Sequence, residues 1–252
     1  MKAYLYGRLD KPVVAVIGVW DPLLPAHKVL FGRLSKQGVE RSLSTLVIAI
    51  DPDPVRYLWG VSSRPIYNDV LTRIQQILHC GIDAVLRIHF VQRDIDATAA
   101  DFFKVVDPQA QIAELCLGAR QSLGRCRGGN FDAITEAANV RGMQVNRLPY
   151  ERLDSGKVRD LLQSGRLIEA ANIVGRPPIQ SRPASGNLRL AWQPGLYQAL
   201  PTPDPNVIPK GDLLTLALKK EGRRLPSLDW PDDQTKYLAF VYGPHDVHVG
   251  TT

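Results

Sequence analysis

Over the first two-thirds of the chain, short apolar runs alternate with longer amphipathic stretches, a rhythm that predicts a parallel sheet wound with helices. The predicted strands are Val13 to Gly18, Thr45 to Asp51, Ala84 to Phe90 and Glu114 to Gly118, with a weaker fifth from Met143 to Leu148. Between them, Ala26 to Gln37 sets Leu30 and Leu34 at helical spacing and is predicted to stop at Gly38. Tyr67 to Cys80 sets Val70, Ile74, Ile77 and Leu78 on one face and stops at Gly81, the glycine expected just past a helix end. A further helix, Asn130 to Arg141, takes Asn130 as its N-cap, turns Ile134 and Ala138 inward and closes at Gly142.

After Leu153 two short helical stretches follow, Gly156 to Gln163 and Leu167 to Val174, separated by Gly165. From Pro177 the chain carries most of its prolines, and its apolar residues fall into strand-like pieces at Leu188 to Trp192, Leu213 to Lys219 and Tyr237 to Tyr242. A small β-rich module is therefore expected behind a proline-rich connector, Gly175 to Ser185, that cannot continue a helix. The expected domains are residues 1–176 and 186–252. Trp192, Tyr197, Trp230 and Tyr237 are expected in the core of the second or at an interface.

Composition narrows the class of protein. With 252 residues, 44% hydrophobic and 22% charged, the chain has the make-up of a folded globular protein. No apolar run approaches the ~18 residues of a membrane-spanning helix. Met1 to Asp10 lack the apolar core of a secretory signal, so a cytoplasmic location is expected. Cys80, Cys116 and Cys126 are odd in number and have no CxxC spacing; they are expected to be reduced, and no metal site is expected. The net charge is +6, with 21 arginines to 10 lysines, a balance that suits phosphate or carboxylate recognition and equally a solvated basic surface. Nucleic acid is disfavoured as a partner, because no block of five basic residues occurs and aromatics do not interleave with the basic positions.

Three segments could carry chemistry. The first, GVWDPLLPAH from Gly18 to His27, forms the turn from the first strand into a helix, where phosphates settle against backbone N–H groups. His27 falls in the first turn of that helix and reads either as a phosphate donor or as a surface or capping residue. Pro22 and Pro25 remove donors from the loop. The second, LDSGKVR from Leu153 to Arg159, places Ser155, Lys157 and Arg159 at a helix start, facing a polyphosphate or simply capping the helix through Asp154 or Ser155. The third, GARQSLGRCRGG from Gly118 to Gly129, offers Arg120, Arg125 and Arg127 to an anion, or forms a solvated loop.

In this order and at these separations, the segments resemble the bifunctional bacterial FAD synthetases over about the first 175 residues. That family's GxFDGxHxGH turn stands here as GVWDPLLPAH, its FxPHP as IDPDP, its GxDFxFGxxxxG loop as GARQSLGRCRGG, its SSTxxR as DSGKVR and its LLGRP as IVGRP. The resemblance implies a Rossmann-like parallel sheet of the HxGH nucleotidylyltransferase type, followed by a shortened riboflavin-kinase-like barrel. It also implies transfer of the adenylyl group of ATP to FMN with Mg²⁺, by in-line attack on the α-phosphorus. On that resemblance His27, Lys157 and Arg159 are the candidate catalytic residues, and Gly18, Asp21, Gly118, Gly124 and Ser155 the candidate cofactor-binding residues. ATP, Mg²⁺ and FMN or FAD are the cofactors to expect where binding is retained.

The departures concentrate where phosphate is held. The first histidine of the turn is Leu24, the glycine before His27 is Ala26 and the glycine after Asp21 is Pro22. The acid and aromatic of the flavin loop are Arg120 and Gln121, the SSTxxR hydroxyls fall at Asp154 and Gly156, and the PTAN segment of the kinase barrel has no counterpart. Losing one transition-state donor lowers rate by ~10²- to 10³-fold. The expectation is a catalytically impaired relative kept as a binding or assembly subunit, with an acidic protein partner or a retained nucleotide or flavin; the alternative is an active FMN adenylyltransferase or a related nucleotidylyltransferase with altered substrate.

Overall fold

A computed structural model describes residues 1–58, 65–118, 131–148, 155–185, 187–207, 211–220, 227–232 and 234–246. In chain order the first elements are β1 (Lys2–Gly7), β2 (Val13–Gly18), α1 (Pro25–Arg41), β3 (Ser44–Asp51), α2 (Val55–Leu58), α3 (Val70–His79), β4 (Ala84–His89), α4 (Ala99–Val106), β5 (Ile112–Gly118), α5 (Phe131–Asn139) and β6 (Gln144–Leu148). They are followed by α6 (Ser155–Gln163), α7 (Leu167–Val174), β7 (Ile179–Ser181), β8 (Asn187–Arg189), β9 (Gly195–Thr202), β10 (Leu214–Leu218), β11 (Ser227–Asp229) and β12 (Tyr237–Tyr242).

The chain forms two compact units. One comprises Met1–Trp20, Ala26–Ser62 and Ile77–Arg152; the other comprises Asp21–Pro25, Ser63–Gln76 and Leu153–Thr252. Helices α6 and α7 thus fall with the C-terminal strands, together with two short segments taken from the first third of the chain.

In the first unit six strands lie in the order β1-β4-β3-β2-β5-β6. Five run parallel, as the apolar runs predict, because a strand covered on both faces needs an almost unbroken apolar sequence. β1 lies antiparallel on β4 at the edge, and its mixture of polar and aromatic residues conceals it in the sequence. α4 was also not expected; its signal is the Thr98–Asp101 capping box, in which the Thr98 hydroxyl accepts from the Asp101 N–H. The core lies between β2, β3, β4 and β5 and the helices, with Phe102, Phe103, Ile134 and Ala138 fully buried or nearly so. On β5 the buried Glu114 carboxylate is satisfied by Gln37, Arg41 at 2.7 Å and Asn146 at 3.1 Å. Burial and this neighbouring charge push the Cys116 thiol up to about 11, so it stays protonated at neutral pH. Neither Cys80 nor Cys116 forms a disulfide, and Cys126 lies outside the described residues.

Gly38 does not end α1. The helix runs on to Arg41, and Gly38 is buried within it because an added Cβ would stand 2.8 Å from Thr45 Cγ2 and 3.0 Å from the Leu43 carbonyl. The stop is Ser42, at φ 54°, with Leu43 N–H donating to the Gly38 carbonyl and Ser42 N–H to that of Val39. A left-handed conformation strains any residue with a side chain, so Ser42→Gly is expected to stabilise the first unit by about 1 kcal/mol, read from its urea midpoint. Gly81 and Gly142, at φ 81° and 73°, do close α3 and α5; the expected cap Asn130 lies outside the described residues.

In the second unit four antiparallel strands lie in the order β10-β9-β12-β7, and β11 pairs with β8. Trp192, Tyr197 and Phe240 pack edge-on or tilted at its centre with Trp230, Leu188, Leu228 and faces of α6 and α7. Tyr237 is only half-buried. β7 lies in the segment expected as a connector. Its preceding prolines, Pro177 and Pro178, are tolerated because it is an edge strand paired to β12 alone.

Candidate functional site

Parallel strands end together, so Gly18, Asp51, His89, Gly118 and Leu148 mark the carboxyl edge of the six-stranded sheet, where open α/β folds receive ligands. The turn leaving β2 is shaped by Trp20. Its backbone is left-handed at φ 59°, its indole N–H donates to the Ile48 carbonyl at 3.1 Å, and its ring meets Phe31 at 5.2 Å. Gly18 is required here for shape, since a Cβ would stand 2.7 Å from the indole. His27, buried in the first turn of α1, stands edge-on to the same indole at 5.2 Å. Gly118 is half-exposed at the end of β5, with open space where a side chain would go. Gly124 lies outside the described residues.

Asp21 and Arg159 come together within the second unit. Asp21 is 6% exposed, and its carboxylate accepts the N–H groups of Tyr67 at 3.1 Å and Asn68 at 3.0 Å. Arg159, 8% exposed, donates through Nη2 to the Asp21 main-chain carbonyl and through Nη1 to the Ser155 carbonyl at 3.2 Å. Burial pushes the Asp21 carboxyl above its ordinary value, against the lowering charges of Arg73 and Arg159 and the two N–H bonds. Ser155 is half-buried at the first position of α6, and Lys157 is exposed on its first turn. Leu24, at the position of the missing histidine, is 3% exposed and packs with Tyr67, Val158 and Leu162.

Around Asp21 lies a polar knot that the sequence did not reveal. Tyr67 donates its hydroxyl to the Arg176 carbonyl and accepts at its own carbonyl from Gln180 Nε2 at 2.8 Å. Asn68 accepts from the Ile179 N–H at 2.7 Å and donates to Gln76 at 3.1 Å. Asp69 caps α3 through the Leu71 and Thr72 N–H groups and also holds Ser181 by its N–H and hydroxyl. Burial raises the Tyr67 hydroxyl far above its usual range, so it remains a donor. The available signal was the polar run Tyr67-Asn68-Asp69 ahead of an apolar helix, which marks an N-cap at Asp69. The helix therefore starts at Val70 and not at Tyr67.

The sequence model for FAD synthetase matches residues 8–160, and the chain belongs to that family. It is 25% identical over 179 residues to the bifunctional riboflavin kinase/FMN adenylyltransferase of Buchnera aphidicola subsp. Schizaphis graminum, covering 68% of this chain and 57% of that one. It is 26% identical over 174 residues to the protein of the same name from Escherichia coli K12, covering 65% and 54%. The chain thus spans little more than half the length of these curated relatives. A solved structure titled macrolide-efflux protein, from Streptococcus pneumoniae, superposes with a TM-score of 0.64 over 97% of this chain and 89% of its own, at 14% identity, a likeness of fold.

The family implies Mg²⁺, and the described residues do not assemble a site for it. Among them no group of three or more His, Cys, Asp or Glu could hold a metal ion, and the Asp21 carboxylate is turned to backbone N–H groups. No helix among the described residues is long and apolar enough to cross a membrane.

Proposed function

We propose that this FAD synthetase family member has lost most or all adenylyl transfer and serves as a binding or assembly subunit. In this reading residues 1–176 derive from an HxGH-type nucleotidylyltransferase domain and residues 186–252 from a shortened riboflavin-kinase barrel. One observation carries it: Asp21 and Arg159, retained from the family's phosphate-handling motifs, are engaged by main-chain groups in a buried knot. A guanidinium held between two carbonyls has its fork directed at the protein, and redirecting it to a phosphate would take the donor from the buried Asp21 carbonyl. Leu24 and Pro22, both buried, add packing where the family turn carries a histidine and a glycine. The basic surface suits an acidic protein partner.

An active FMN adenylyltransferase is the second reading, favoured by the exposed Lys157 on the first turn of α6 and by His27 on the first turn of α1. There His27 would bind the β- or γ-phosphate and Lys157 the leaving pyrophosphate. Chromatographic assay of FAD from FMN and ATP with Mg²⁺ separates the two. No product is expected from the purified chain; product that His27→Ala or Lys157→Ala abolishes would establish the enzyme.

A further inference from the structure

Away from the knot, the open edge of the six-stranded sheet gathers unused cationic groups. In the strand registers His89 of β4 faces Lys2 of β1 on one side and Asp51 of β3 on the other. Directly facing residues project to the same side of a sheet with Cβ atoms ~4.5–5.5 Å apart, so these three form one row. Tyr4 and Arg87, paired two residues further along, lie on the same side. Arg87 reaches forward into the row, because its Nη2 donates at 2.8 Å to Asp51, the residue that faces His89 in the strand register. Its carbon centre stands 5.9 Å from the centroid of the Tyr4 ring, which backs the guanidinium.

The Arg87–Asp51 pair leaves a surplus. Among the described residues, Arg87 Nη1, the Lys2 ammonium and both ring nitrogens of His89 meet no acceptor. The row is open to solvent: Lys2 is exposed, His89 is half-buried, Tyr4 is 44% exposed and the Arg87 side chain 21%. One carboxylate thus faces two permanent positive charges and an imidazole on a rigid strand platform.

We propose that this row, Lys2, Arg87 and His89 with Asp51 holding the arginine in place, is a binding site for a phosphate group, distinct from the knot around Asp21 and Arg159. Arg87 is already oriented by Asp51 and Tyr4, so a ligand need not order that side chain. Three donors from two adjacent strands match a tetrahedral oxyanion better than a planar carboxylate, which a single guanidinium fork would satisfy.

The test is a titration of the intact protein with inorganic phosphate, followed by NMR of the His89 imidazole and the Arg87 guanidinium, with chloride at matched ionic strength as control. Saturable shifts at both side chains are expected with phosphate and none with chloride, and Lys2→Gln with His89→Gln should weaken binding about tenfold, equivalent to 1.4 kcal/mol. Lys2→Glu, at an exposed edge position where folding is not at stake, should abolish the shifts. Glycerol phosphate distinguishes the sources: equal or tighter binding assigns an esterified phosphate, weaker binding the free ion. Shifts that fail to saturate, that chloride reproduces, or that survive Lys2→Glu would overturn the proposal. None of these outcomes depends on whether ATP or FMN binds.

Discussion

Asp21→Ala is expected to destabilise the second unit by about 3–5 kcal/mol, the usual cost of removing one partner from a buried charge cluster. The alanine leaves the Tyr67 and Asn68 N–H groups without their acceptor, and Arg73 and Arg159 without the carboxylate that lies among them. Those N–H groups precede α3, so the loss should spread to the tie between Asn68, Asp69 and β7. Urea unfolding followed by the fluorescence of Trp192 and Trp230, both buried in this unit, reads the effect. The pH dependence has a definite sign. Because burial raises the folded-state value of Asp21, its proton stabilises the folded state fully below the ordinary carboxylate value, and this stabilisation is lost as pH rises through the raised one. The stability difference between the natural chain and Asp21→Asn should therefore grow in favour of the natural chain on acidification from neutral pH.

Gly243→Ala should be comparably severe, at about 3 kcal/mol or more. Its Cβ would stand 2.2 Å from the Gly165 carbonyl oxygen and 3.1 Å from Leu167 Cγ. The first of these is backbone and cannot rotate aside. The same turn is fastened by Asp246, whose carboxylate accepts the Gly243 N–H at 2.6 Å and the Leu167 and Ile168 N–H groups at 3.1 and 3.2 Å. Asp246 thereby caps α7 from a distance, which its own N-cap residue, Arg166, does not do. Gly32→Ala provides the contrast. Nothing lies within 4 Å of its added Cβ on the exposed face of α1, so it should stabilise by up to about 1 kcal/mol. A thermal melt of the two variants should move in opposite directions.

The sequence revealed the parts of the fold governed by local pattern. β2 and β3 read directly because strands buried on both faces are apolar runs, and α7 because it is bounded by helix-stopping residues. β1 escaped because an edge strand with one open side carries polar and aromatic residues without a clean alternation. Gly38 misled because a glycine selected for close approach to Thr45 looks the same in sequence as one selected for a left-handed stop, while the actual stop is a serine.

The candidate site was legible as motifs and opaque as geometry. Nothing local in DSGKVR tells whether Arg159 extends to a ligand or folds back onto the main chain; its partner at Asp21 lies 138 residues away. Tyr67, Asn68 and Asp69 find their partners 109 to 113 residues further on, in a segment whose prolines argue against a strand. Such contacts are set by tertiary packing, to which periodicity and spacing are blind.

Whether Arg159 serves the fold or a nucleotide is read from the melting temperatures of the natural chain and Arg159→Ala, each with and without ATP·Mg²⁺ and FMN. Ligand-free Arg159→Ala is expected to melt well below the natural chain, and any rise on adding ligand is expected to be the same in both proteins. Equal ligand-free melting temperatures, with a ligand-induced rise in the natural chain that Arg159→Ala loses, would contradict that expectation.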